Sequence, residues 1–123
     1  KGNASGIAGN VVVTGTDFNG GAISETIALS GATEVFGDKG FKTVTNINLP
    51  AKTNGSGDTV SIGVGDVFGL PISVPNADIL FASSFNGVAD AGTMVESATV
   101  ALSVYELAGT PDGYKIVQLW YLA

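Results

Sequence analysis

The acidic and amide side chains set beside glycine are the first candidates for chemistry in this chain. Residues 16–21 read TDFNGG, and the spacing of Asp17 and Asn19 is similar to the opening of a calcium loop, where oxygen ligands alternate along the backbone. The glutamate that closes such a loop is missing at its required spacing. Asp, Asn and Gly are also the residues that any tight turn selects, because they tolerate positive φ or bond their own backbone. A turn is therefore expected at Asp17, and equally at Asp58, Asp66 and Asp112, each next to a glycine. No metal site is predicted.

Catalysis finds no better footing. The chain has no His and no Cys, which removes the usual general base near neutral pH, thiol chemistry, disulfides and thiolate metal ligands. It also has no Arg, the residue that clamps phosphate or carboxylate with two parallel bonds; all basic residues are lysines (Lys1, Lys39, Lys42, Lys52, Lys115). Glu25 and Glu34 are the one carboxylate pair that a hairpin would bring together in the manner of a glycosidase, yet glutamates on a sheet are ordinarily solvated. The segment 63–69, GVGDVFG, lacks the following helix that a phosphate-binding glycine loop requires. No local pattern pairs a Ser or Thr with a base. The reading is a non-enzyme with no catalytic residues and no cofactor.

A formal net charge of −6 disfavours contact with nucleic-acid backbones, so no direct DNA or RNA partner is expected. The longest apolar runs fall far short of the ~20 residues of a membrane-spanning helix, and no membrane partner is expected. The hydrophobic share of 45% fits a folded chain despite 18 glycines, which fall between apolar runs and so read as turns. At this length, residues 1–123 read as a single all-β domain with a core of its own.

The elements expected to position these residues are short strands. Val-rich 11–14 and alternating 22–30 (Ile23, Ile27 and Leu29 on one face) flank the 16–21 turn. Glu25 interrupts that apolar face, which places its end at a sheet rim. A short strand follows at 33–36, then 41–49, where Val44 falls out of phase with Phe41, Ile47 and Leu49 and implies a bulge or two-sided burial. Pro50 ends it. After the polar 51–57 loop, 58–64 alternates with Val60, Ile62 and Val64 on one face, and 72–74 pairs briefly between prolines. The apolar 77–85 run is a strand or a helical turn. The longest alternation covers 96–107, with Ala98, Val100, Leu102 and Val104 opposite Thr99, Ser103 and Tyr105. A Pro-Asp-Gly turn at 111–113 then leads, as a hairpin, into 115–122, KIVQLWYL. About eight to ten such strands, with no amphipathic helix, give an antiparallel β-sandwich or barrel.

The final strand is apolar on both faces, so it is either central and covered twice or in contact with another chain. Tyr and Trp are favoured at protein interfaces. Tyr114, Ile116, Leu119, Trp120 and Tyr121 are therefore the candidate protein–protein interface. Phe18, in a turn, is expected to be exposed, whereas Phe36, Phe41, Phe68, Phe81 and Phe85 are assigned to the core.

Two stretches, VVVTGTDFNGGAISETIALSGATEVFGDKGFKTVTNINLP (11–50) and GDTVSIGVGDVFGLP (57–71), resemble a recurring pattern in small structural proteins of tailed bacteriophages. The close, ATVALSVYELAGTPDGYKIVQLWYL (98–122), looks like their usual final strand, turn and aromatic strand. The resemblance covers most of the chain from Gly9 onward and carries no functional residues across, since the shared positions are turn and core positions. It implies a virion structural protein on the capsid surface, a head decoration or cement subunit acting as a homo-oligomer. Its implied partners are the major capsid protein and copies of itself, and it implies an N-terminal extension before KGNASG. The alternative reading is a tail, fibre or adhesion-type β-sandwich module that binds host glycan through exposed aromatics such as Phe18 and Tyr114.

Overall fold

The computed structural model of the chain describes residues 1–53 and 55–122; Asn54, within the 51–57 loop, and Ala123 lie outside the described residues. The fold is all-β, and the described residues form nine strands in three antiparallel sheets of three strands each. The described residues add two single turns of 3₁₀ helix, Ala77–Ile79 and Val100–Leu102.

The first sheet has the order β2-β1-β3, built from β1 (Asn10–Thr16), β2 (Ala22–Ala28) and β3 (Thr43–Asn48). β1 and β2 pair in unbroken register from Asn10 opposite Ala28 to Thr16 opposite Ala22. Their turn closes through the Asp17 N–H, which donates to Gly21 O at 2.9 Å, and Gly20 takes a φ of +84° that favours glycine. Along β3 the ladder steps from Thr14 opposite Asn46 to Gly15 opposite Val44, so Thr45 is the extra residue of a bulge. Val44 and Ile47, which strict alternation would separate, both line one cleft on the sheet face, as the broken pattern in 41–49 implies.

Two expected strands do not form ladders. Residues 33–36 make a single bridge, Ser30 to Thr33, and residues 58–64 make one between Gly2 and Val60. Alternation sets which side a residue points to, but it does not supply a neighbouring strand. Ser61 is still tied to Lys1, its N–H donating to Lys1 O at 2.8 Å, but beyond it the chain runs along the cleft without a ladder, leaving Ile62 and Val64 exposed. Glu25 lies on β2, an edge strand of its sheet, opposite Val13 in mid-strand, and its Oε1 accepts the Asp38 N–H at 2.6 Å. Lys39 Nζ donates to Ser24 O at 2.6 Å, and the two bonds tie the 37–40 turn over β2.

The second sheet places β8 (Val104–Glu106) between β4 (Val67–Gly69) and β7 (Thr93–Val95). The third places β5 (Leu80–Phe85) between β6 (Val88–Ala89) and β9 (Val117–Tyr121). The expected long strand at 96–107 is thus broken by the 3₁₀ turn. That turn resets the phase, so the consecutive residues Ser103, Val104 and Tyr105 are all buried. The 111–113 turn is also not a hairpin connection, because β8 pairs with β4 and β7 whereas β9 pairs with β5. β9 lies at the edge of its sheet and not at the centre.

The core cluster is Leu70, Val74 and Met94, against which Leu80, Leu119 and Tyr121 pack. Fully buried Ser103 clips the loops around it: its Oγ accepts the Val74 N–H at 3.0 Å and lies 2.9 Å from Thr99 O. The first sheet joins this half where the Gly40 N–H donates to Ala101 O at 2.9 Å and the Gly40 and Gly69 backbones touch. The Phe18 ring covers that contact. A Cβ on Gly69 would stand 2.8 Å from Phe18 Cε2 and 2.9 Å from Gly40 Cα. Gly69→Ala is expected to cost about 1–3 kcal/mol through overpacking. Gly57→Ala, where a Cβ meets nothing within 4 Å, is expected to be near neutral. Urea midpoints of the two variants, at unchanged m, check this.

Candidate functional site

The C-terminal strand sorts the five interface candidates into two groups. Val117, Leu119 and Tyr121 point inward, and Leu119 and Tyr121 pack on the Leu70–Val74–Met94 cluster. Trp120 points outward at 45% exposure, and the residues flanking the strand, Ile116 and Leu122, are 67% and 66% exposed. Tyr114, at the turn, is almost wholly exposed.

A residue assigned to the core from its sequence joins them. The β5–β9 ladder shifts between Leu80 opposite Tyr121 and Ala82 opposite Trp120, so Phe81 occupies a bulge and is 66% exposed. Nothing in ADILFASSF marks that bulge, because Phe is equally at home on a buried face. Phe81, Trp120 and Leu122 thus form an apolar outer face on a sheet whose β9 edge is free of any paired strand among the described residues.

Two devices hold this face in place. The first is the 111–115 turn: Asp112 Oδ1 accepts the N–H groups of Tyr114 and Lys115, each at 3.1 Å, and Asp112 Oδ2 meets Lys115 Nζ at 3.2 Å. These backbone bonds, with the adjacent ammonium, hold the Asp112 carboxyl below the usual carboxylate range. Lys115 Nζ also sits 5.2 Å above the Phe85 ring centroid, a cation–π contact that seats the turn on β5.

The second device is Asp90, at the end of the β5–β6 hairpin. Its main chain is tied to Ser83, with its N–H donating to Ser83 O at 3.0 Å and its C=O accepting from Ser83 Oγ at 2.9 Å. Its Oδ2 accepts the Tyr105 hydroxyl at 2.6 Å, the Gly92 N–H at 2.9 Å and the Ala108 N–H at 3.3 Å. Partial burial works to raise the Asp90 pKa, but the bonds from Tyr105, Ala108, Gly92 and Gly109 outweigh it and hold the carboxyl below its ordinary value. Tyr105 is wholly buried; burial first, and the bond to ionised Asp90 second, push its phenol above the ordinary value.

The other candidates for chemistry resolve into structural work. Asp17 Oδ1 accepts the Asn19 and Gly21 N–H groups at 2.9 and 2.8 Å, closing its own turn. Phe18, expected to be exposed, is half-buried because its ring covers Gly69. Glu25 and Glu34 both line the first-sheet cleft, of about 330 Å³, where Glu25 is bonded to Asp38 N–H and Glu34 lies 3.6 Å from Lys1 Nζ. Among the described residues, no three His, Cys, Asp or Glu side chains gather as a metal would need. Comparison of the chain with protein families, with curated proteins and with solved structures finds no match.

The Asp90 carboxyl has its pKa lowered by folding, so its stabilisation is complete above the unfolded value of ~3.9 and is lost as pH falls through the folded value. The Tyr105 phenol, raised by folding, contributes below ~10 and loses that contribution as pH rises further. Asp90→Asn is expected to lower stability at pH 7 by about 1.5–3 kcal/mol, the range for a hydrogen bond to a charged group. It should also make the decline between about pH 5 and 3 shallower than in the unaltered protein. Urea unfolding at pH 7, 5 and 3 measures both.

Proposed function

We propose that this chain is a structural protein of a tailed-bacteriophage virion, a decoration or cement subunit on the capsid surface. In this reading it is not an enzyme, and it works by burying area against the capsid shell and against copies of itself. The observation that carries it is the apolar outer face of β5 and β9. Three large apolar side chains, Phe81 on β5, Trp120 on β9 and Leu122 just beyond it, stand 45–66% exposed on a sheet with a free β9 edge. Soluble proteins seldom leave such a combination open unless it meets a partner, since an unpaired apolar edge invites association.

The resemblance of 11–50, 57–71 and 98–122 to phage structural proteins supplies the kind of partner. A capsid multiplies one modest contact by symmetry, so a subunit with a few apolar anchors gains avidity without a large interface. Aromatic anchors such as Trp120 are the residue type on which binding energy concentrates. The alternative of glycan recognition through Phe18 and Tyr114 loses half its support, because Phe18 is committed to covering Gly69.

The test is co-sedimentation with purified, DNA-filled, tailless heads stripped of decoration. The unaltered protein is expected to be retained, and Trp120→Ala combined with Phe81→Ala is expected to weaken retention at least tenfold, about 1.4 kcal/mol of binding. A protein that binds immobilised glycans and passes over the heads would overturn the assignment.

A further inference from the structure

We infer that Asn86, in the two-residue turn between β5 and β6, is a site of self-modification. Its side-chain amide is lost to attack by the Gly87 backbone nitrogen, and the isoaspartyl product unfastens β6. The site does not depend on the capsid reading above.

The sequence holds three Asn-Gly pairs, at 19–20, 54–55 and 86–87. Asparagine is among the thermolabile residues, and a following glycine, having no Cβ, leaves the attacking nitrogen unshielded. Asn54 lies outside the described residues. At 19–20 the nitrogen is engaged, because the Gly20 N–H donates to Asp17 O at 3.1 Å. The Asn19 N–H donates to Asp17 Oδ1 at 2.9 Å in the same turn, which caps the unbroken β1–β2 ladder. At 86–87 both residues are exposed. Among the described residues, neither the Gly87 N–H nor the Asn86 side-chain amide has a hydrogen-bond partner. A Cβ on Gly87 would meet nothing within 4 Å, so a ring has room to form there.

Asn86 has a φ of +54° and Gly87 of +79°, the positive pair of a type I′ turn, for which Asn-Gly is a preferred dipeptide. Attack needs a brief departure from this geometry, and little opposes it. β6 is two residues long and meets β5 in two pairs, Ser84 with Ala89 and Phe85 with Val88. Short exposed pieces of this kind open locally at small cost.

The Gly87 nitrogen gives its proton to solvent and bonds to Asn86 Cγ. The Cγ–Nδ2 bond breaks, ammonia leaves, and a five-membered imide closes. Water then opens the imide at one of its two carbonyls. Opening at Cγ gives aspartate; opening at the main-chain carbonyl leaves the chain running through Cβ and Cγ, as isoaspartate. Either route consumes one water, releases one ammonia and adds one negative charge. Aspartate keeps the turn, since Asp-Gly also favours type I′. Isoaspartate puts an extra carbon into the backbone of a two-residue turn and displaces the pairing of Phe85 with Val88. The displacement passes directly to Asp90, which follows β6 and is held to Ser83 through its N–H and C=O. It also reaches the start of β9, because the Asn86 N–H donates to Ile116 O at 2.8 Å.

Incubation at mildly alkaline pH, folded and in urea, tests this by peptide mapping with fragmentation and an isoaspartate assay. In the folded protein Asn86 is expected to convert roughly fivefold faster than Asn19, the factor set by the one net hydrogen bond that ties the Gly20 nitrogen. In urea the two should convert alike. Hydrogen exchange at residues 88–92 should quicken in the isoaspartyl fraction and stay unchanged in Asn86→Asp, which gains the charge without the extra carbon. Asn86→Gln, whose longer side chain cannot close the five-membered ring, should keep its exchange pattern after the same incubation. Asn19 keeping pace with Asn86 in the folded protein overturns the inference, as does an Asn86 still intact when the unfolded chain has finished converting. Exchange that quickens equally in Asn86→Asp, or in incubated Asn86→Gln, overturns the effect on β6.

Discussion

One carboxylate fixes the geometry on which the outer face depends. Asp90 belongs to the β5–β6 hairpin through its backbone, yet its side chain accepts the hydroxyl of Tyr105 on β8 and the N–H groups of Gly92 and Ala108. It thus bonds the third sheet to the second at a point where both sheets are only three strands wide. Such narrow sheets bury little area each and gain their stability by packing on one another. A charged acceptor with three donors in a partly dry site is among the stronger polar links available. With β5 held in that position, Leu119 and Tyr121 of β9 reach the Leu70–Val74–Met94 cluster and Trp120 is turned to water.

The rest of the architecture leaves apolar surface unspent in two places. In the first sheet, strands β2 and β3 flank β1, but the segments that cover them cross without forming ladders, and the cleft stays partly open. In the third sheet, a bulge turns Phe81 outward beside Trp120. Burying either face would contribute on the order of 25 cal/mol per Å² of apolar area.

Much of the first sheet was legible beforehand. The TDFNGG turn, the alternation of 22–30 and the out-of-phase Val44 each report a local backbone preference, and all three appear as the β1–β2 turn, β2 and the Thr45 bulge. The same reasoning failed at 58–64, where clean alternation occurs without a partner strand, and at 96–107, where a 3₁₀ turn resets the phase. It fails again at Phe81 and Phe36, which it assigns to the core and which are 66% and 63% exposed, and at Phe18, which it leaves exposed and which is half-buried. In each failure the deciding contact is distant in sequence: Phe18 to Gly69, β5 to β9, Val74 to Ser97.

The sequence by itself therefore determined the all-β class, the placing of most turns, the absence of His, Cys and Arg chemistry and the charge imbalance between the halves. These follow from short-range terms: φ preference at Gly and Asn, β-branching, and simple counting of ionisable groups. The tertiary structure alone decided which strands share a sheet, that β9 is an edge, and which side of it meets the core. Pairing partners are chosen by the burial gained when distant segments close on each other, against the loop entropy lost. That balance is settled by the whole chain at once, and no local window contains it.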